Sequence, residues 1–116
     1  MLRVIIKNVG QDAYITEIDD SLKAMQAIVG GHIEVVPVGS GMTMVCNEEG
    51  KIFGLHPNFA TDSDVIVGNV FFARLDAESD GEFKNITQQD FDILVDYLKN
   101  RAGFVFNDYD NQDEEV

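Results

Sequence analysis

The sequence predicts an α+β domain, a mainly antiparallel sheet of about five to six strands with two helices packed on one face. Three observations carry this. β-rich runs alternate with Gly-, Asn- and Pro-bearing turns at short spacing, so hairpin connections dominate. Only two segments carry apolar residues three and four apart, the mark of an amphipathic helix. The 116 residues are 45% hydrophobic. A single domain of that size buries about two-thirds of its surface without a metal or disulfide staple.

Residues 2–7 alternate Leu2, Val4 and Ile6 with Arg3, Ile5 and Lys7, a strand partly covered on both faces. Asn8-Val9-Gly10-Gln11-Asp12 is a turn, and residues 13–18 are an extended segment suited to pairing with the first. Asp19 or Asp20 is placed to cap a helix whose stripe is Leu22, Met25 and Val29, with Ile28 beside it. Gly30-Gly31 ends that helix. Residues 32–38 form a strand that Pro37 marks as an edge or a bulge. Gly39-Ser40-Gly41 is a turn and residues 42–47 a strand. Glu48-Glu49-Gly50 is a hairpin turn, with residues 51–55 as the return strand. Residues 56–64 read as a loop. Residues 65–75 are the longest β run, with a bulge at Gly68.

After an acidic turn over residues 77–81, a second helix starts at Thr87, where Asp90 completes a capping box. Phe91, Leu94 and Leu98 form its stripe. Lys99 and Arg101 suit the negative end of its dipole, and Gly103 stops it. Phe104-Val105-Phe106 is a last apolar segment, a short strand or a docking clip. The order is β-β-α-β-β-β-β-α over a domain of residues 1–106, followed by a disordered acidic tail, 107–116. Leu22, Met25, Val29, Ile33, Val35, Val67, Phe71, Phe91, Leu94 and Leu98 are expected to share one core.

The net charge is −13. Five acids sit in the last ten residues, and the remaining sixteen still outnumber the eight bases. Phosphate contacts need Lys and Arg, so direct nucleic-acid binding is disfavoured, as is an anionic membrane. The acidity suits a basic protein partner or plain solubility. Cys46 is the one cysteine, so no intrachain disulfide forms. The N-terminal run reads as a strand and not as a signal peptide, and no apolar run approaches a membrane span. A cytoplasmic protein is expected.

The segments Ala27-Ile28-Val29-Gly30-Gly31-His32-Ile33-Glu34-Val35-Val36 and Cys46-Asn47-Glu48-Glu49-Gly50-Lys51 occur in that order. Asp64-Val65-Ile66-Val67-Gly68-Asn69-Val70 and the helix start at Thr87 follow them. Together they resemble the small phage and mobile-element proteins grouped as domain of unknown function 3846. The resemblance covers most of the chain and implies a phage or mobile-element context. It implies no established activity, so no catalytic residue carries over. Small acidic proteins of that context often inhibit host defence or modulate host enzymes.

Read as chemistry, the residues offer few sites. Asp76, Glu78 and Asp80 with Gly81 resemble the first half of a calcium loop, but Thr87 stands where its last acidic ligand belongs. A solvated turn is the simpler reading. Cys46, His32 and His56 lack a third orienting group, and the neighbouring Glu48 and Glu49 would raise the thiol pKa. Gly30-Gly31 follows a helix instead of preceding one, unlike a phosphate loop. No catalytic centre, metal or cofactor is expected. The acids Glu48, Glu49, Asp62, Asp64, Glu78 and Asp80, with Asp90, Asp92 and Asp96, are available to meet a basic groove on a partner. The expected function is therefore a non-enzymatic accessory protein that binds a host protein, an inhibitor of a defence nuclease or its nucleic-acid complex. Its contacts would come from those acids and a free strand edge, which also offers a route to oligomers. The alternative is a module that sequesters a small ligand or signalling nucleotide in a glycine-lined pocket beside Phe53, Phe59 or Tyr14.

Overall fold

The computed structural model describes residues 1–75 and 80–100. The proposed tail, Phe104-Val105-Phe106, Glu78 and most of the calcium-like loop lie outside the described residues.

Five strands form one antiparallel sheet. β1 (Leu2–Lys7) and β2 (Tyr14–Ile18) make the first hairpin, with Ile5 opposite Ile15. β3 (Ile33–Gly39) and β4 (Met42–Asn47) make the second, with Val36 opposite Met44 and a register shift between Pro37 and Gly39. β5 (Pro57–Ala60) and β6 (Val65–Val67) form a separate two-stranded ribbon. β7 (Val70–Arg74) inserts between the two hairpins, giving the order β2-β1-β7-β4-β3. β7 is therefore the central strand, and its Val70, Phe71, Phe72 and Ala73 are all buried. The helices are α1 (Leu22–Val29) and α2 (Gln88–Asn100).

The α+β class and the mainly antiparallel sheet are as expected. The placement of both helices on one face is not. Strand alternation sorts the apolar side chains into two clusters on opposite faces. Leu2, Val4, Ile6, Val45, Phe71 and Ala73 pack with Met25 and Val29 of α1. Ile5, Met42, Met44, Val70 and Phe72 pack with Leu94 of α2, together with Phe59 and Ile86. The expected single core is thus two. Leu22 is 57% exposed and Val35 38% exposed, so neither belongs to a core.

Three local expectations also change. Ser21, not Asp19 or Asp20, caps α1, and its hydroxyl accepts from the Ala24 N–H at 3.2 Å. Residues 51–55 are no return strand. They form a tight turn in which the Phe53 N–H donates to the Glu49 carbonyl at 3.0 Å and the Leu55 N–H to the Gly50 carbonyl at 2.9 Å. The long run 65–75 divides at Gly68 into β6 and β7. There φ is +75°, and a Cβ would stand 2.7 Å from the Leu55 Cδ1. The capping box of α2 stands: the Asp90 N–H donates to the Thr87 Oγ1 at 3.1 Å, and the Thr87 N–H to the Asp90 Oδ2 at 2.8 Å.

Two buried amides tie these parts together. Asn47 donates to the Val29 carbonyl at 3.2 Å, fixing the end of α1 to the end of β4. Asn58 donates to the carbonyls of Lys7 and Gly68 at 2.9 and 2.8 Å and accepts from the Lys7 Nζ at 2.9 Å. It fixes the ribbon over the α2 face of the sheet. Among the described residues no helix is long and apolar enough to cross a membrane.

These positions make a contrasting pair of substitutions. Leu94→Ala should cost ~2–5 kcal/mol, the range for emptying a buried leucine site. Leu22→Ala, on the same sort of helical stripe but in solvent, should stay within ~0.5 kcal/mol. Urea denaturation of the two variants checks both, and a reversed order would remove the two-cluster assignment.

Candidate functional site

Among the described residues the covering of the α2 face is incomplete. α2 shields one part and the β5–β6 ribbon another, and between them lies an open groove of about 680 Å³. Its floor is apolar: Val36 from β3, Met42 and Met44 from β4, Phe72 from β7, Phe59 and Ile66 from the ribbon. Ile93, Leu94 and Tyr97 of α2, spaced one, three and four apart, form a wall. Three carboxylates stand in the lining: Glu34, Asp64 and Asp90. A smaller cleft of about 170 Å³ adjoins it, sharing Glu34, Cys46, Asp64 and Ile66.

The three carboxylates differ in their neighbours. Asp90 forms an ion pair with Arg74 at 2.6 Å. Burial pushes its carboxyl pKa up, but the hydrogen bonds from Thr87 and Arg74 outweigh that and hold it below the usual value. Arg74 also donates to the Ser40 carbonyl at 2.8 Å, so one guanidinium joins the β3–β4 turn to the start of α2. Asp64 is paired with Lys51 and accepts from its neighbour's amide, that of Val65; the Lys51 contact is the main cause of its lowered pKa. Glu34 has no ion pair among the described residues. Its carboxylate lies 3.8 Å from the Cys46 Sγ.

Cys46 is half-buried at the junction of the two cavities. Burial first, and the Glu34 charge second, push its thiol up to about 11. The acidic neighbours that act on it are thus Glu34 across the strand pair and, less strongly, Asp64, not Glu48 and Glu49 along the chain. Neither His32 nor His56 lines either cavity.

The acids singled out from sequence are not gathered into one surface. Glu48 and Asp64 both line the small cleft, together with Lys51, which is paired with Asp64. Glu49 is half-buried in the turn after β4, where its N–H donates to the Asn47 Oδ1 at 2.8 Å. Asp62 and Asp80 are exposed and line neither cavity. Glu78 lies outside the described residues. Of the aromatic residues named for a ligand pocket, Phe59 lines the groove, while Phe53 and Tyr14 are exposed elsewhere. Glu34 was not singled out as a contact. Its strand alternates, and a lone acid in such a strand reads as an ordinary solvent-facing residue. Among the described residues no group of three or more His, Cys, Asp or Glu is close enough to hold a metal ion.

The family model described as domain of unknown function (DUF3846) matches residues 2–100. The chain belongs to that family. No curated protein and no solved structure matches it. In this DUF3846 chain the segments that carry the resemblance are largely structural. Gly30 is the left-handed C-cap of α1, and its N–H donates to the Gln26 carbonyl at 2.8 Å. A Cβ on Gly31 would stand 2.8 Å from the Asn47 Nδ2, so the amide that anchors α1 needs a glycine there. Glu34, Cys46, Asp64 and Ile66 are the four residues of those segments that reach both cavities.

Two measurements follow from these electrostatics. Iodoacetamide should label Cys46 at pH 8 about a hundredfold more slowly than a free thiol of pKa near 8.5, because so little is thiolate. Glu34→Gln should speed the reaction by removing a charge that opposes ionisation; an unchanged rate would contradict the Glu34 contact. Asp90→Asn should cost ~1–3 kcal/mol at pH 7 through the lost cap and ion pair. A depressed carboxyl stabilises fully above its unfolded pKa of about 3.9 and loses that effect as pH falls through the folded value. The gap between native protein and variant should therefore narrow below about pH 4. Denaturation curves across pH 3–7 check this.

Proposed function

We propose that this protein is a non-enzymatic accessory protein, of phage or mobile-element type, that binds and modulates a protein of the host cell. A defence nuclease, alone or on its nucleic acid, is the class of target. The observation that carries the binding reading is the open groove, with its apolar floor and carboxylate-bearing lining, beside an edge of β3 that no described strand pairs with. Apolar floors with polar rims suit protein contacts, because burial supplies affinity and the rim supplies orientation. The net charge of −13 favours a basic partner and speeds encounter with one. The chemistry near the groove supports binding over catalysis, since its thiol is held protonated and no histidine stands beside it.

A small-ligand reading has one observation in its favour. The groove volume falls within the roughly 300–1,000 Å³ of small-molecule sites. Native mass spectrometry of the purified protein separates the two, because a sequestered nucleotide would add several hundred daltons.

The partner reading is tested with a photo-crosslinking residue placed at Ile93, which lines the groove yet is 55% exposed and so tolerates replacement. The control site is Glu17, on the opposite sheet edge. In host cells the Ile93 probe should give one dominant protein adduct that weakens with salt, and the Glu17 probe should not. Equal adducts from both sites would remove the groove from the interface.

A further inference from the structure

β3 is an edge strand: it pairs with β4 on one side and with no described strand on the other. Edge strands present unpaired N–H and C=O groups to any segment that lies alongside. At this edge the side chains are also unfinished on both faces. Val35, opposite Val45, points to the α1 face and is 38% exposed. Val36, opposite Met44, points to the groove and is half-buried. Glu34, opposite Cys46, points to the groove as well. Of the three carboxylates lining the groove, it is the one with no cation on it among the described residues.

Resting on the partner-binding reading above, we propose that the β3 edge from Ile33 to Val36 takes an extended peptide segment as an added strand. The segment places a lysine or arginine at Glu34 and apolar side chains at Val35 and Val36. The register dictates this pattern. Residues directly opposite in adjacent strands share a face, with Cβ atoms about 4.5–5.5 Å apart. A basic side chain opposite Glu34 therefore lies on the groove face, where the charge is uncompensated. In an antiparallel added strand the preceding residue covers Val35 on the α1 face, and the one before that covers Val36 and enters the groove. The recognised unit is apolar-apolar-basic over three consecutive residues. Pro37 has no N–H, which ends the run of donors and confines the added strand to the part of β3 that carries Glu34. The partner is a cationic segment and not a second copy of this chain. Two chains of net charge −13 repel, and antiparallel self-pairing here sets two Glu34 carboxylates near each other on one face.

The test uses the full chain and synthetic nine-residue peptides of alternating threonine and valine. One carries Val-Val-Lys at its centre, a second Val-Val-Glu, and a third is the lysine peptide N-methylated at alternate amides. Binding is followed by backbone amide shifts in NMR titrations. The lysine peptide should shift the amides of residues 33–36, and the glutamate peptide should bind about fivefold more weakly or less. N-methylation should abolish binding, because it removes the donors of the added strand. Glu34→Gln should erase the preference for lysine and Glu34→Lys should reverse it; Glu34 is exposed, so both variants should keep the native amide spectrum. Equal binding of the charged peptides, no shift at millimolar lysine peptide, or a concentration-dependent dimer occupying the edge would each overturn the proposal. If the methylated peptide binds as well as its parent and Ile93→Glu weakens both, the groove reading stands and the added strand falls. If no peptide binds while the Ile93 probe still yields its adduct, the edge alone is excluded.

Discussion

The side chain of Asn58 is fully enclosed, and its amide makes three hydrogen bonds, two with Lys7 at the end of β1 and one with Gly68. Two go to the carbonyls that end β1 and open the turn at Gly68; the third comes from the buried ammonium of Lys7. A two-stranded ribbon is marginal on its own in water. The β5–β6 ribbon is such a unit, and Asn58 is the point at which it joins the sheet. Phe59, the next residue, then enters the cluster under the groove. A buried amide left without partners costs about 1–3 kcal/mol for each group. The arrangement is therefore all or none, and it decides whether the groove has a second wall.

The same device recurs at both helices. α1 has only eight residues, too few to be helical alone. Met25 and Val29 hold it to the sheet, and Asn47 closes its C-terminal end. α2 is longer, but its first turn is set by Thr87, Asp90 and Arg74 acting together. The sheet centre is apolar on both faces and would form from burial alone. What surrounds it is placed by a few directional polar contacts. Hydrophobic burial is non-directional and hydrogen bonds are not, so the first builds the slab and the second shapes the site on it.

This division explains what was legible in the sequence. Period-two alternation located β1, β-rich runs between turn residues located β2, β3 and β4, and the Thr87–Asp90 pair located the start of α2. Burial on both faces of the sheet was visible in Ile5, which interrupts the polar side of β1, and in the unbroken apolar run of β7. The usual one-sided antiparallel sheet was nonetheless the expectation for the helices. Lys51-Ile52-Phe53 looks like a strand by propensity, yet Ile52 and Phe53 are exposed in a turn. β propensity describes a pleated, half-buried surface, and no such surface exists there. Ser21 and Asp20 are adjacent and equally good caps, so sequence had no means to choose. Glu34 acquires its meaning from Cys46 across the strand pair and from cations that sit on Asp64 and Asp90 instead. None of these is near it in the chain.

Charge then acts at two lengths. The net −13 is a property of the whole molecule, and salt screens it over about 8–10 Å at physiological strength. A field of that sign would attract a basic partner and set how fast it arrives, with little say over which one stays. Glu34 is exposed but lies against the half-buried Cys46, whose thiol burial raises to about 11. In the proposed binding mode it would act at contact distance, where salt screens a charge less than it screens the long-range field. On that proposal encounter and selection would be carried by different residues: by acids spread over the surface in the first case, and by one carboxylate on the edge of β3 in the second. Moving surface acids would then change how quickly complexes form, whereas altering Glu34 would change which segments are retained.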